Sequence, residues 1–283
     1  MIQVLKRFGQ RLLAIILNDH REQIAYSYGW LNNLTWKLVR RGGGPERRPA
    51  YAWGVIQGAA LGKALGLSRV SVIEFGVAGG NGLVCLEEIA ERVSSLLEIE
   101  IEVYGFDTGA GLPDVHDVRD LPNLYARGHY AMDVGRLKSR LRCAHLILGP
   151  IKETLGSFIA SHPAPVAFVS VDVDLYTSTM DTLGLFEADY PILLPRVHIY
   201  LDDILGLTFG DHNGERAAIG EFNANHKLRK FSPIYGLRHY LPWPLRSMGW
   251  IEMMYMAHIF DHPLYVRYDG LIRQTIAPLA QET

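Results

Sequence analysis

An α/β fold with a doubly wound, mostly parallel sheet is the architecture this chain encodes, and three features point to it. From Arg69 onward, short apolar runs closed by glycine or aspartate alternate with longer segments of helical periodicity. The first run, "RVSVIEFG", passes through a glycine-rich turn into "LVCLEEIAERVSSLLE", the strand–turn–helix opening of a βαβ unit. Two later runs, "VAFVSVD" and "RVHIYLDD", stay largely apolar up to their carboxylates, as strands of a buried sheet do.

Taken in chain order, residues 1–66 read as a helical extension. Val4, Leu5, Phe8, Leu12 and Ile15 recur at helical spacing, opposite Lys6, Arg7 and Arg11. Such a basic amphipathic helix suits a membrane surface, a partner copy or its own domain. "RRGGGPERRP" marks a flexible joint, and "YAWGVIQGAALGKALG" a short helix leading into the core. Residues 67–283 form the main domain. In the helix after the first strand, Leu83, Leu86, Ile89, Ala90, Val93 and Leu97 share one face. "IEVYGFD", "AHLILG", "VAFVSVD" and "RVHIYLDD" supply further strands. "WIEMMYMAHIFDHPLYVRYDG" predicts two strands around "DHP", a hairpin adding an antiparallel member to the sheet. Loops 108–133 and 206–216 are long, irregular and follow strands, which places them at the carboxyl edge where open α/β sheets bind ligands; they are expected to form a lid on the substrate side.

The 283 residues, 48% of them hydrophobic, are enough for one large core. A formal charge of −2 gives no footprint for nucleic acid. The two cysteines, Cys85 and Cys143, have no metal-finger spacing, which favours a reducing, cytoplasmic setting. The apolar run "LLAIIL" is too short to span a bilayer.

"EFGVAGGNG" sets Glu74, Gly76, Gly80 and Gly82 in the spacing E-x-G-x-x-x-G-x-G between a strand and a helix. Glycines there let the backbone turn tightly and approach a ligand, and the helix start offers unpaired amides. The dinucleotide fingerprint G-x-G-x-x-G fails in both registers, at Ala78 and at Cys85. A Walker loop fails because Ala64 follows Gly62-Lys63. The spacing that fits is typical of S-adenosylmethionine (SAM) binding in Rossmann-like methyltransferases. Glu74, Gly76, Val77, Ala78, Gly80, Gly82, Asp107 and Thr108 are therefore the expected cofactor contacts, with Asp107 accepting from the ribose hydroxyls. The competing reading of Asp107 is a cap on the turn "DTGAG".

Asp172 and Asp174 end one strand, Asp202 and Asp203 the next. Four acids on adjoining strand ends repel one another unless a cation or a set of helix caps absorbs them. All-oxygen donors favour Mg²⁺ over Zn²⁺. The expectation is Asp172, Asp202 and Asp203 on the metal and Asp174 as general base. His258 and His262 have helical ligand spacing, but Pro263 argues for strand and turn instead. His116, Tyr125, His129, Tyr130 and His212 sit on loops where substrate contact is possible by position alone, and Tyr51 and Trp53 either line the cofactor mouth or pack.

"EFGVAGGNG", "YGFDTGAGLP", "DVDLYTSTMDTL" and "IYLDDI", followed by "GERAAIGEF", together resemble Mg²⁺-dependent class I SAM O-methyltransferases of the macrocin O-methyltransferase type, in an uncharacterised branch. The resemblance runs from about Val70 to Phe222. It implies a seven-stranded Rossmann-like sheet, SAM and Mg²⁺ as cofactors, and methyl transfer to a hydroxyl, as in a vicinal diol of a sugar, glycoside or other natural product. It also implies metal on Asp172, Asp202 and Asp203, Asp174 as base, and a homo-oligomer joined through leading helices. Val173 departs from the glycine common between those two aspartates. Two alternatives share the motifs: an enzyme similar to cephalosporin hydroxylase, and a non-catalytic SAM- or nucleotide-binding module.

Overall fold

The computed structural model describes residues 31–39, 48–205 and 210–267. The expected leading amphipathic helix and part of the second loop lie outside that range. Seven strands form one sheet: β1 (Arg69–Phe75), β2 (Glu100–Asp107), β3 (His145–Leu148), β4 (Val166–Val171), β5 (Leu193–Leu201), β6 (Arg229–Pro233) and β7 (Met254–Ile259). Their order is β3-β2-β1-β4-β5-β7-β6. The first five run parallel; β7 is antiparallel to both β5 and β6. The doubly wound, mostly parallel, seven-stranded class that the sequence predicts is the one observed. β1 is buried from Val70 to Phe75 and β4 throughout, because both lie in mid-sheet under helices on each face.

The helices are α1 (Pro49–Ala64), α2 (Asn81–Leu97), α3 (Val134–Arg140), α4 (Ile151–Ala160), α5 (Tyr176–Leu183), α6 (Gly214–Asn225) and the single turn α7 (Leu237–Tyr240). Neighbouring β2 residues show the two-sided cover. Gly105 faces Leu83 of α2, whereas Tyr104 and Phe106 meet Phe158 of α4 edge-on. α1 begins at Pro49, whose fixed φ suits a first helical turn, and is buried continuously from Ala50 to Gly62. It packs on α2, β4 and β5 as a core helix. Residues 31–39 are helical, and Asn32 there accepts from Trp53 Nε1 at 3.0 Å. Trp53 is thus a packing residue.

The hairpin expected in the last third needs correction. β7 does pair in antiparallel fashion, but its hairpin-like partner is Arg229–Pro233, not the residues after "DHP". Beyond Ile259 the chain makes successive turns, His262 N–H to Ile259 and Tyr265 N–H to His262, while the Tyr265 hydroxyl meets His258 Nδ1 at 2.8 Å. β6 escapes pattern recognition because it is a short edge strand with one buried residue, Phe231. His258 lies on β7 and His262 in the turn after it, as expected of them. Among the described residues, no helix is long and apolar enough to cross a membrane.

Candidate active site

The carboxyl ends of β1, β2, β4 and β5 open onto one cavity of about 590 Å³. Its floor is the turn between β1 and α2. Gly76 has φ +83° and stands against β4: a Cβ there would lie 1.7 Å from the Asp172 carbonyl oxygen. At Gly82 a Cβ would strike the Glu74 carboxylate at 1.9 Å. The loop therefore lies flat against its own strand, and α2 has Gly80 as its N-cap and no side-chain cap, leaving its first N–H groups toward the cavity. All eight expected cofactor contacts line this cavity.

Asp107 is already engaged. Its Oδ2 accepts from Val77 and Ala78 N–H at 2.9 and 2.8 Å, and its Oδ1 from Gly109 N–H at 2.6 Å. The carboxylate ties the glycine loop to the end of β2 and caps the turn after it. One of its four lone-pair directions remains for a ligand.

Glu74 is buried and takes a 2.7 Å hydrogen bond from the Tyr51 hydroxyl on α1. Its second oxygen has no partner. Burial raises its pKa to about 7, against the opposing effects of Tyr51 and Arg48. Tyr51 also accepts from Ser170 Oγ at 2.7 Å and from Arg48 Nη1 at 3.0 Å. Sequence reasoning missed Arg48 because it closes a glycine- and arginine-rich joint. The proline after it, marking a helix start, was the available signal.

The four aspartates come together at the same edge. Val171 pairs with Leu201, so Asp172 and Asp202 emerge side by side from neighbouring parallel strands. The strand breaks at once: Asp174 adopts φ +60°, which turns it away from the direction of Asp172, and its N–H donates to Asp203 Oδ2 at 3.1 Å. Asp202 accepts from the Tyr200 hydroxyl at 2.7 Å. Burial, then the charges of Asp202 and Asp203, lift Asp172 to about 8. Burial, then Asp174, lifts Asp203 to about 7. Asp174 is also raised, chiefly by burial, while a hydrogen bond from the Tyr125 hydroxyl and the nearby His129 hold it down.

Behind them stands Glu215, in the first turn of α6. It is fully buried, and the contact that offsets its burial is the backbone N–H of Asp203. Burial and the charges of Asp203, Asp172 and Asp202 push its pKa well up. Nothing in "NGER" signals that burial. Among the described residues, no group of three or more His, Cys, Asp or Glu side chains is arranged to hold a metal ion. The donor set is nonetheless all oxygen, and the raised pKa values of Asp172, Asp203 and Asp174 report crowded acids that a hard cation would let ionise together.

The loop after β2 forms the outer wall. Tyr125, His129 and Tyr130 line the cavity; His116 and His212 are exposed and do not. The loop is held down by Asp120, buried and accepting from Thr177 N–H and Oγ1 at 2.8 and 3.0 Å. Beside it the Arg119 guanidinium lies 3.7 Å from the Tyr176 ring centre and pairs with Glu221.

No protein-family model matches the chain, and no curated protein matches it. Among solved structures it is similar to the O-methyltransferase NovP, at 19% identity over 63% of this chain and 72% of that one, with a TM-score of 0.47. The calicheamicin methyltransferase CalS11 is 20% identical over 73% of this chain and 88% of its own, with a TM-score of 0.46. An O-methyltransferase from Bacillus cereus in complex with SAH is 12% identical over 87% and 94%, with a TM-score of 0.40. At such identities and scores the similarity carries no information on substrate or chemistry.

Proposed function

We propose that the chain is a SAM-dependent O-methyltransferase, acting on a hydroxyl of a small natural-product-like molecule with assistance from a divalent cation. The observation that carries this reading is the meeting, in one cavity, of the glycine loop of β1 and α2 with the aspartates that end β4 and β5. A module that only bound a nucleotide would have no use for a set of crowded acids whose pKa values are pushed toward neutrality.

Residues Glu74 to Gly82 and the exposed amides of α2 would bind the cofactor, with Asp107 reaching it through its remaining lone pair. SAM would supply a methyl group already activated on sulfonium. Asp172, Asp202 and Asp203 would hold the cation, which when bound would lower the pKa of an acceptor hydroxyl. Asp174 would take the proton from that hydroxyl. Its orientation is set by the Tyr125 hydroxyl on one side and its own backbone link to Asp203 on the other. Tyr125 and Tyr130 would cover the acceptor, and the anchored loop would exclude water from the transfer.

The test is incubation of the purified protein with SAM, Mg²⁺ and a panel of sugar and aromatic diols, following release of S-adenosylhomocysteine. Product formation that needs both an acceptor and Asp174 supports the reading; SAM turnover indifferent to Asp174→Asn counts against it.

A further inference from the structure

Of the charged groups in the cavity, one has a use that neither the glycine loop nor the acid cluster explains. Arg48 lines the wall where β1 meets β4, with Glu74, Gly76 and Asp172. It is the N-cap residue directly before Pro49, at the entry to a helix buried from its first turn, so its backbone is restricted. Its Nη1 donates to a neutral partner, the Tyr51 hydroxyl, and its guanidinium carbon lies 4.9 Å from the Tyr51 ring centre. Tyr51 is in turn held by Glu74 and Ser170, so the fork rests on a rigid, fully buried stem. Burial opposes its charge, but Tyr51, Glu74 and Asp172 more than restore it. Among the described residues, its five N–H donors meet one hydrogen-bond acceptor, the Tyr51 hydroxyl.

The methyl donor carries three charges: a sulfonium, an ammonium and one carboxylate. The acids of this cavity suit the first two and repel the third. Asp107 marks the ribose end, on β2; Arg48 lies by β1 and β4, about two strand spacings or ~10 Å across the sheet. That is the span of a nucleoside carrying an amino-acid side arm. We infer that Arg48 is the binding residue for the α-carboxylate of the methyl donor, gripping it with its planar fork. This inference rests on the SAM reading above and deepens it.

The experiment is calorimetric titration of the full chain, and of Arg48→Gln and Arg48→Lys, with SAM and with decarboxylated SAM, which lacks only the group in question. The expected result is an about 10- to 100-fold loss of SAM affinity in Arg48→Gln, the range of a charge-assisted pair. Decarboxylated SAM should bind wild type and variant within about twofold, since the partner is already missing. Arg48→Lys should recover part of the loss, and it supplies the same comparison should Arg48→Gln melt early. If wild type binds SAM but the variants weaken both ligands equally, the carboxylate role is overturned while the SAM reading stands. If wild type binds neither ligand, both fall.

Discussion

The main-chain N–H of Asp174 donates to the carboxylate of Asp203, 3.1 Å away, so the ends of β4 and β5 are fastened by the same residues that carry the site's charge. Asp174 accepts a left-handed backbone to make that contact, a conformation for which aspartate and asparagine are the least strained non-glycine residues. Shape and chemistry can therefore be separated at this position.

Asp174→Asn keeps the backbone preference and removes the carboxylate proposed as the base. Turnover should fall by about 10²- to 10⁴-fold, the usual contribution of a positioned base, with S-adenosylhomocysteine affinity unchanged within a few fold. Parallel product assays and calorimetry check this; equal losses in both would assign Asp174 to binding.

Two glycines should respond in opposite ways to alanine. At Gly76 a Cβ meets backbone at 1.7 Å in a left-handed conformation, so Gly76→Ala should cost more than about 2 kcal/mol or prevent folding. Gly220, inside α6, has open space around its Cβ direction, and Gly220→Ala should stabilise by about 0.5–1 kcal/mol. Denaturant melts of both variants measure the contrast.

The acid cluster predicts a falling stability with rising pH in cation-free protein. Asp172, Asp203 and Glu74 hold protons up to about 8, 7 and 7 in the folded chain, well above their unfolded values. Their protonated forms support the fold fully below about pH 4, and that support is lost as pH rises through about 7 to 8. Thermal melting should drop across that window. Added Mg²⁺ should raise the melting temperature more at about pH 8 than at about pH 6, because a cation needs the ionised acids. Asp172→Asn should flatten both trends.

Loop anchoring should show in the acceptor's KM. Asp120→Ala strands the Thr177 N–H at the start of α5, costing about 1–3 kcal/mol. It should loosen the wall that carries Tyr125 and Tyr130, raising acceptor KM several fold with little change in cofactor affinity. Steady-state kinetics against calorimetry would show the split.

How far the chain reads without coordinates depends on whether a residue's role is local. β1, β2, β4 and β5 are legible because each ends in glycine or aspartate after an apolar run, and their order follows from βαβ winding. β6 is not: one buried phenylalanine between arginine, lysine and serine has no period to detect. The convergence of Asp172, Asp174, Asp202 and Asp203 is readable from strand adjacency alone. The engagement of Asp107 with the glycine loop is not, since both the ribose and the turn readings demand the same carboxylate. Arg48 and Glu215 are invisible for another reason: their positions are set by packing of α1 against β4 and β5 and of α6 against α5, which no local pattern records.

The account stands or falls on the ligand for which the glycine loop and the acids are both built. Calorimetric titration of the purified chain with S-adenosylhomocysteine, in the absence and presence of Mg²⁺, tests this most directly. It predicts one cofactor per chain bound without metal, and a separate Mg²⁺ binding event that Asp202→Ala abolishes while cofactor affinity stays within a few fold. Absence of any S-adenosylhomocysteine binding in either condition would contradict it.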